Sequence, residues 1–192
     1  MMLSRSFIEY DYHQVEHSLG VALLLHPHPL YEGNMLNKVI TTAQHACTQC
    51  QLSTVKYNYP GVGRTQGCFG YGRYEAEVGL ALLNELAIHE VDWVIGFSFG
   101  CWVSYQLLLN IQPKKGLIWI APSIKEGLFF EAEWPKNRFM IQGTQDELCP
   151  YATNHAFSDQ HDFFFEPIEG ASHFFHGQLI ELREVLGRCL TF

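Results

Sequence analysis

The stretch over residues 91–109 constrains the fold of this chain more than any other. Its first part, residues 92–97, is rich in residue types that favour strands. A Gly-x-Ser-x-Gly pattern centred on Ser98 follows, and the apolar sequence after it predicts a helix. The length of the stretch would also suit one buried helix or a membrane span. Two central glycines, together with Asp92 and Gln106, argue against a span, so we predict a strand, a sharp turn and a helix.

The residue types around Ser98 suit a nucleophile at that turn. Glycines at positions 96 and 100 let neighbouring backbone pass where a Cβ would clash. The turn holds the serine in a strained conformation and places its hydroxyl at a helix N-terminus. Free N–H groups at that end of a helix favour developing negative charge. Ser98 is therefore our candidate nucleophile.

The composition argues against several classes of protein. A length of 192 residues suits one domain over residues 1–192, with a substantial core. The net charge of −8 and the absence of a Lys/Arg cluster argue against nucleic acid or an anionic membrane as a partner. The first residues contain acids and no apolar signal core, which predicts a cytoplasmic protein whose six cysteines are reduced thiols. The Cys47/Cys50 pair shares the apolar face of a predicted helix, which favours core thiols over a redox motif.

Apolar runs alternate with amphipathic stretches along the rest of the chain, which predicts alternating strands and helices. The other predicted strands are 19–25, 52–59, 116–121, 138–143 and 162–168, with one or two edge strands in an opening hairpin within 5–18. The predicted helices are 34–50 with Asn34 as N-cap, 74–88, 99–110, 151–159 and 178–190. Most strands are unbroken apolar runs. This pattern predicts an α/β fold with a mostly parallel sheet and helices on both faces.

Two residues of catalytic type follow predicted strands of this sheet. Asp146 follows strand 138–143, and His173 follows strand 162–168. A serine is a weak nucleophile until a histidine takes its proton and a carboxylate orients that histidine. Because function gathers at the carboxyl ends of parallel strands, we expect Ser98, Asp146 and His173 to lie together. Their order along the chain is that of α/β-hydrolases.

Each of these assignments has a rival nearby in the sequence. Asp146 could instead cap the following helix, with Glu147 supplying the carboxylate. His176 is a second histidine near the start of the last predicted helix, where a structural role would suit it. The sequence favours Asp146 over Glu147 and His173 over His176.

Five motifs spread over residues 20–185 make the chain resemble the α/β-hydrolase superfamily, and in particular small lidless carboxylesterase-like hydrolases with a His-Pro-His-Pro loop. They are HPHPLYEGNM at 26–35, NYPGVGR at 58–64, GFSFG at 96–100, GTQD at 143–146 and GASHFF at 170–175. The resemblance implies an α/β-hydrolase fold with no separate cap domain. It also implies a Ser-His-Asp hydrolase of carboxylic esters that needs no cofactor and no metal.

The resemblance also indicates an oxyanion hole built from two backbone N–H groups. One belongs to the residue after the nucleophile, which is Phe99 here. The other lies in the loop at 26–31, where the two prolines have no N–H to donate. His28 and Leu30 remain as alternatives. The two histidines of this loop lack a third ligand at suitable spacing, so we expect no metal site there.

Aromatic residues near the predicted site indicate an uncharged ester of modest size as the small-molecule partner. We expect Tyr31, Phe174 and Phe129 to border the substrate pocket. The segment 122–137 is too short for a cap domain but long enough for a hydrophobic flap. The predicted function is a serine hydrolase that cleaves small to medium carboxylic esters through an acyl-enzyme. The alternatives are a thioesterase or small-peptide hydrolase with the same triad, and a non-catalytic ligand-binding protein of this fold.

Overall fold

The computed structural model describes residues 7–124 and 133–192 of the chain. Its strands are β1 (Tyr10–His13), β2 (Val21–Leu25), β3 (Ser53–Tyr57), β4 (Trp93–Phe97), β5 (Gly116–Ile120), β6 (Asn137–Gly143) and β7 (Phe164–Ile168). Its α-helices are α1 (Lys38–Gln49), α2 (Arg73–Glu85), α3 (Phe99–Leu108), α4 (Tyr151–Gln160) and α5 (Leu179–Leu190). The seven strands form one sheet in the order β1-β3-β2-β4-β5-β6-β7. Every neighbouring pair is parallel except β1 with β3, which confirms the predicted fold class.

Helices cover both faces of this sheet. Helices α1 and α5 contribute to one apolar core, and α2, α3 and α4 pack on the other. Strand β4 serves both cores because successive side chains of a strand point to opposite faces. Ile95 and Phe97 lie in the α1/α5 core, whereas Val94 lies in the core on the other face.

The first helix begins later than the sequence predicted. The side chain of Asn37, not that of Asn34, caps α1 by accepting a hydrogen bond from the Val39 N–H at 2.9 Å. Asn34 instead accepts from the Leu36 N–H in a turn before the helix. Leu36 therefore lies outside the helix and is exposed, although its spacing fits the apolar stripe. Two successive asparagines with the same local hydrogen-bonding capacity made the boundary ambiguous.

The prediction of an opening hairpin within 5–18 is wrong, but the prediction of an edge strand there is confirmed. One edge strand, β1, is present in the described part of this region, and it pairs antiparallel with β3. After β1 the chain continues in the same direction beside the start of β3, where the Val15 N–H donates to Ser53 Oγ at 3.1 Å. A long-range strand pairing thus replaces the local one that the aromatic residues near the start indicated.

The segment before β6 contributes to the core in its described part. Trp134 packs against Trp119 and Phe163 in the α2/α3/α4 core, so its ring takes no part in the predicted flap. Residues 125–132 of the predicted flap segment lie outside the described part of the chain. Phe129, predicted to border the pocket, lies outside the described residues. None of the helices in the described part of the chain has the length and apolar character that crossing a bilayer requires.

Candidate active site

Ser98 lies between β4 and α3 in a backbone conformation that L-residues rarely adopt, with φ 55° and ψ −115°. The close approach of neighbouring backbone explains the flanking glycines. A Cβ on Gly96 would lie 2.6 Å from the carbonyl carbon of Gly100, and a Cβ on Gly100 would lie 2.1 Å from the Leu25 carbonyl oxygen. The sequence Gly-Phe-Ser-Phe-Gly therefore forms the strained turn that the pattern predicted, and the strain is centred on Ser98.

The three residues at the strand ends meet in space. Ser98 Oγ lies 3.1 Å from His173 Nε2, and His173 Nδ1 lies 2.8 Å from Asp146 Oδ2. Because an ionised carboxylate only accepts hydrogen bonds, Nδ1 carries the imidazole proton. Nε2 is then left to accept from the Ser98 hydroxyl. His173 is 2 % exposed and Asp146 is 9 % exposed, so solvent hardly reaches this pair.

Asp146 is held as an anion by the donors around it. Oδ1 accepts from the N–H groups of Leu148 and Cys149 at 2.9 and 2.8 Å, and Oδ2 accepts from Gln142 Nε2 at 2.9 Å. Burial acts to raise the pKa of Asp146. That pKa is nevertheless lowered, because other interactions outweigh burial. They are the hydrogen bonds from His173, Cys149 and Leu148 and the charge interaction with His173. The carboxylate therefore stays charged at neutral pH.

Gln142 and Asn154 form a supporting pair that the sequence did not reveal. Gln142 is fully buried at the end of β6 and also donates to the Cys149 carbonyl at 3.0 Å. Its side-chain oxygen accepts from Asn154 Nδ2 at 2.7 Å, which fixes the orientation of the amide. The one signal in the sequence is a glutamine directly after the apolar residues 139–141 of this strand.

The rival residues do not enter the relay. Glu147 contacts His173 through the backbone alone, where its Oε2 accepts from the His173 N–H at 3.4 Å. His176 stacks on Phe174 with ring centroids 5.9 Å apart. The geometry thus favours the same residues, Asp146 and His173, as the order along the chain.

The two backbone segments expected to form an oxyanion hole flank Ser98. Phe99 is the first residue of α3, so its N–H has no partner within the helix. The 3₁₀ turn at Pro29–Tyr31 is capped by His28, whose Nδ1 accepts from the Leu30 N–H at 3.2 Å. The Leu30 donor is therefore engaged by the His28 ring.

His26 fixes the loop that follows β2. It is fully buried and stacks on Tyr59 at 3.6 Å between ring centroids. Its Nε2 accepts from the Tyr59 N–H at 3.1 Å, so Nδ1 carries the proton and donates to the Pro27 carbonyl at 2.7 Å. Nε2 thus joins the segment after β2 to the segment after β3, whereas Nδ1 bonds within its own loop, and neither nitrogen is left for a metal.

We expect the His26 imidazole to make stability depend on pH. Burial lowers its pKa from 6.5 to about 3. Between these values the unfolded chain binds a proton that the folded protein does not, so the free energy of unfolding falls as pH is lowered through this window. The slope is up to about 1.4 kcal/mol per pH unit. Urea unfolding at pH 7, 6, 5 and 4 should show a flatter dependence for His26→Gln than for wild type.

The exposed His17 offers the matched control for this experiment. His17→Gln should keep the wild-type slope, because this side chain is 89 % exposed and leaves its watery surroundings little changed on unfolding. An unchanged slope in His26→Gln would show that other groups cause the acid sensitivity.

A cleft of about 690 Å³ opens onto Ser98 and His173. Its other lining residues are His28, Leu30, Tyr31, Phe69, Tyr71, Phe99, Trp102, Ser123, Leu148 and Cys149. Tyr31 lies where the sequence predicted. Phe174 does not line the cleft, because its ring packs against Phe97, whose side chain points into the α1/α5 core. The sequence did not predict that Phe69, Tyr71 and Trp102 also line the cleft.

One group of three residues with metal-ligand chemistry occurs in the described part of the chain. The ligand atoms of Asp146, Cys149 and His173 lie within 4.8 Å of one another. Burial, with the charges of Asp146 and Glu147, raises the pKa of the Cys149 thiol to about 12, so the thiol keeps its proton. Asp146 and His173 are already hydrogen-bonded to each other. These contacts suit a proton relay, and the absence of a metal stays a prediction.

Comparison with known proteins agrees with this fold. No family model matches the chain. An α/β serine hydrolase homologue from Coxiella burnetii is 33 % identical, covers 98 % of both chains and superposes with a TM-score of 0.83. An α/β serine hydrolase without a lid from Xanthomonas campestris is 28 % identical over 96 % of this chain and 87 % of its own, with a TM-score of 0.86. An uncharacterized protein of Rickettsia prowazekii is 31 % identical over 86 % of this chain and 76 % of its own.

A sheet of this order with a serine at the turn between β4 and α3 defines the α/β-hydrolase class. The chain belongs to the family of small α/β serine hydrolases that lack a lid. The resemblance seen in the sequence is therefore confirmed for fold and family, and the comparisons support a hydrolase. The assignment of roles to individual residues stays a prediction.

Proposed function

We propose that this protein is a serine hydrolase that cleaves small to medium carboxylic esters through an acyl-enzyme. The observation that carries the proposal is the continuous relay from Ser98 Oγ through His173 to the buried Asp146, with contacts of 3.1 and 2.8 Å. Nucleophile, base and orienting carboxylate are within reach of one another before any substrate binds.

In the proposed mechanism His173 Nε2 takes the Ser98 proton as Oγ attacks the ester carbonyl carbon. The resulting oxyanion accepts hydrogen bonds from two backbone N–H groups. Phe99 supplies the first at the N-terminus of α3, where the helix dipole adds to the stabilisation. We assign the second to His28 rather than Leu30, because the Leu30 N–H donates to the His28 ring.

The reaction then proceeds in two stages. His173 gives the proton to the leaving alcohol, which departs as the acyl-enzyme forms. His173 next removes a proton from water, and the hydroxide attacks the acyl carbonyl. As the bond between the acyl carbon and Oγ breaks, His173 gives that proton to Ser98 Oγ and the acid is released. Asp146 stays ionised throughout and stabilises the imidazolium, which its low pKa supports.

The lining of the cleft supports an uncharged ester as the substrate. No Lys, Arg, Asp or Glu belongs to the lining among the described residues, so nothing there would pair with a charged acyl group. Its volume lies within the range of pockets for small ligands. Est1E from Butyrivibrio proteoclasticus, 16 % identical with a TM-score of 0.80, binds ferulic acid on the same fold.

The six cysteines are free, which supports a reducing compartment such as the cytoplasm.

A panel of p-nitrophenyl esters from acetate to dodecanoate tests the proposal. We expect the highest kcat/KM for short to medium acyl chains, with a burst of p-nitrophenol equal to the active sites if deacylation limits turnover. Acyl-thiocholines and amino-acid p-nitroanilides measured in parallel separate the related reactions. A thioester preference above tenfold would make the protein a thioesterase, and no hydrolysis by folded protein would overturn the proposal.

A further inference from the structure

Glu75 is a fully buried carboxylate that takes no part in the relay. It lies in the first turn of α2, where the helix dipole favours negative charge. Its Oε1 accepts from the Gly70 N–H and its Oε2 from the Gly72 N–H, both at 2.7 Å. No ion pair to it is found among the described residues. Two backbone donors of one short loop therefore take the place of a cation.

These hydrogen bonds hold the loop at both sides of Tyr71. The Trp102 indole N–H donates to the Tyr71 carbonyl at 2.7 Å, which attaches the loop to α3. Gly72 has φ 97°, and a Cβ there would lie 2.3 Å from the Trp102 ring. The loop of residues 69–72 is thus held by Glu75 through two glycine N–H groups and by Trp102 through the Tyr71 carbonyl.

The loop places two aromatic rings in the cleft. The Phe69 ring lies 5.0 Å from His28 and 5.6 Å from Phe99, measured between ring centroids. Tyr71 lies 4.7 Å from Phe69 and is 78 % exposed at the mouth of the cleft. Because His28 and Phe99 carry the two proposed oxyanion donors, this aromatic wall begins beside the reacting carbonyl.

We propose that Glu75 is a positioning residue that holds Phe69 and Tyr71 as one wall of the cleft, and that this wall selects esters bearing a planar aromatic group over those bearing a linear alkyl group. The inference rests on the proposed function. The paired rings of this wall and of the neighbouring His28 and Phe99 have centroids 4.7 to 5.6 Å apart, within the range of favourable aromatic pairs. A planar aromatic group on the ester would make further ring contacts with these side chains, whereas an alkyl chain would gain only the burial of its apolar surface.

The test compares two matched pairs of esters by pH-stat titration. Methyl 3-phenylpropanoate against methyl octanoate places the aromatic group on the acyl side, and 2-phenylethyl acetate against hexyl acetate places it on the alcohol side. Within each pair the ester carbonyl and the leaving alcohol are of the same chemical type. We expect kcat/KM to favour the aromatic ester by about tenfold in one pair, which also tells which side meets the wall. Phe69→Leu should lower that ratio about fivefold, since the favourable ring contacts are lost.

Glu75→Gln separates positioning from a general structural role. An amide offers one acceptor oxygen, so one of the two glycine N–H groups loses its partner and the loop loosens. We expect KM for the preferred aromatic ester to rise about fivefold, with kcat for methyl acetate unchanged within twofold. Glu77→Gln, an exposed carboxylate on the same helix, is the matched control and should change neither value. If Glu75→Gln fails to fold, Gly70→Ala displaces the loop instead, because its Cβ would lie 2.2 Å from Tyr74 Cβ.

The outcomes distinguish this inference from the proposed function. Ester hydrolysis with no aromatic preference in either pair would overturn the inference and leave the function standing. An equal loss of kcat for every ester in Glu75→Gln would show a structural role only. No hydrolysis of any ester would remove the proposed function and this inference together.

Discussion

Ser98→Ala is expected to lower kcat for the preferred ester by at least about four orders of magnitude. The variant keeps the fold and the cleft but has no nucleophile, and the oxyanion donors alone give little turnover. The measurement is steady-state hydrolysis at saturating ester, with circular dichroism to verify the fold. Turnover within tenfold of wild type would show that another group attacks the carbonyl.

The strained turn supplies a second readout at the same position. Alanine keeps the unfavourable φ of 55° and ψ of −115°, whereas glycine adopts it without a Cβ clash. We expect Ser98→Gly to be as inactive as Ser98→Ala but more stable than wild type by about 1 kcal/mol. Strain of this kind costs about 1–3 kcal/mol, and the greater flexibility of glycine in the unfolded chain offsets part of the gain from relieving it. Urea unfolding of the three proteins measures the difference, and glycine no more stable than alanine would contradict the strain.

Asp146→Asn is expected to lower kcat by about three to four orders of magnitude without unfolding the protein. The Asn oxygen would accept from the N–H groups of Leu148 and Cys149, which turns the Asn amide nitrogen toward His173 Nδ1. His173 then accepts at Nδ1 and carries its proton on Nε2, which leaves it unable to take the Ser98 proton. Steady-state kinetics with the preferred ester measure the loss.

Glu147→Gln is the matched control, because it neutralises the neighbouring carboxylate that contacts only the His173 backbone. We expect kcat to fall by less than about tenfold. A loss equal to that of Asp146→Asn would mean that charge near the site, rather than the hydrogen bond to Nδ1, is what matters.

Most of the fold could be predicted because its signals are local. Unbroken apolar runs separated by amphipathic stretches located six of the seven strands and all five helices of the described chain within a few residues. The start of α1 was missed because Asn34 and Asn37 offer the same local hydrogen bonds. The partner of β1 was missed because it lies more than 40 residues away, and local sequence carries no information about such a pairing.

The candidate site divides in the same way. The order of Ser98, Asp146 and His173 could be predicted because each follows a recognisable strand. The roles of Gln142 and Glu75 could not, since each depends on donors that only the folded chain brings near. Phe174 was misplaced because a loop aromatic beside the histidine can face the cleft or the core, and the sequence does not distinguish these orientations.

The central claim is that His173 activates Ser98 toward an electrophile. Labelling with a fluorophosphonate probe, followed by intact mass and peptide mapping, tests it most directly. We expect one adduct on Ser98 in wild type, none in Ser98→Ala, and labelling slowed at least about a hundredfold in His173→Ala. No adduct on folded wild type, or equal labelling of His173→Ala, would contradict the activation of Ser98 by His173.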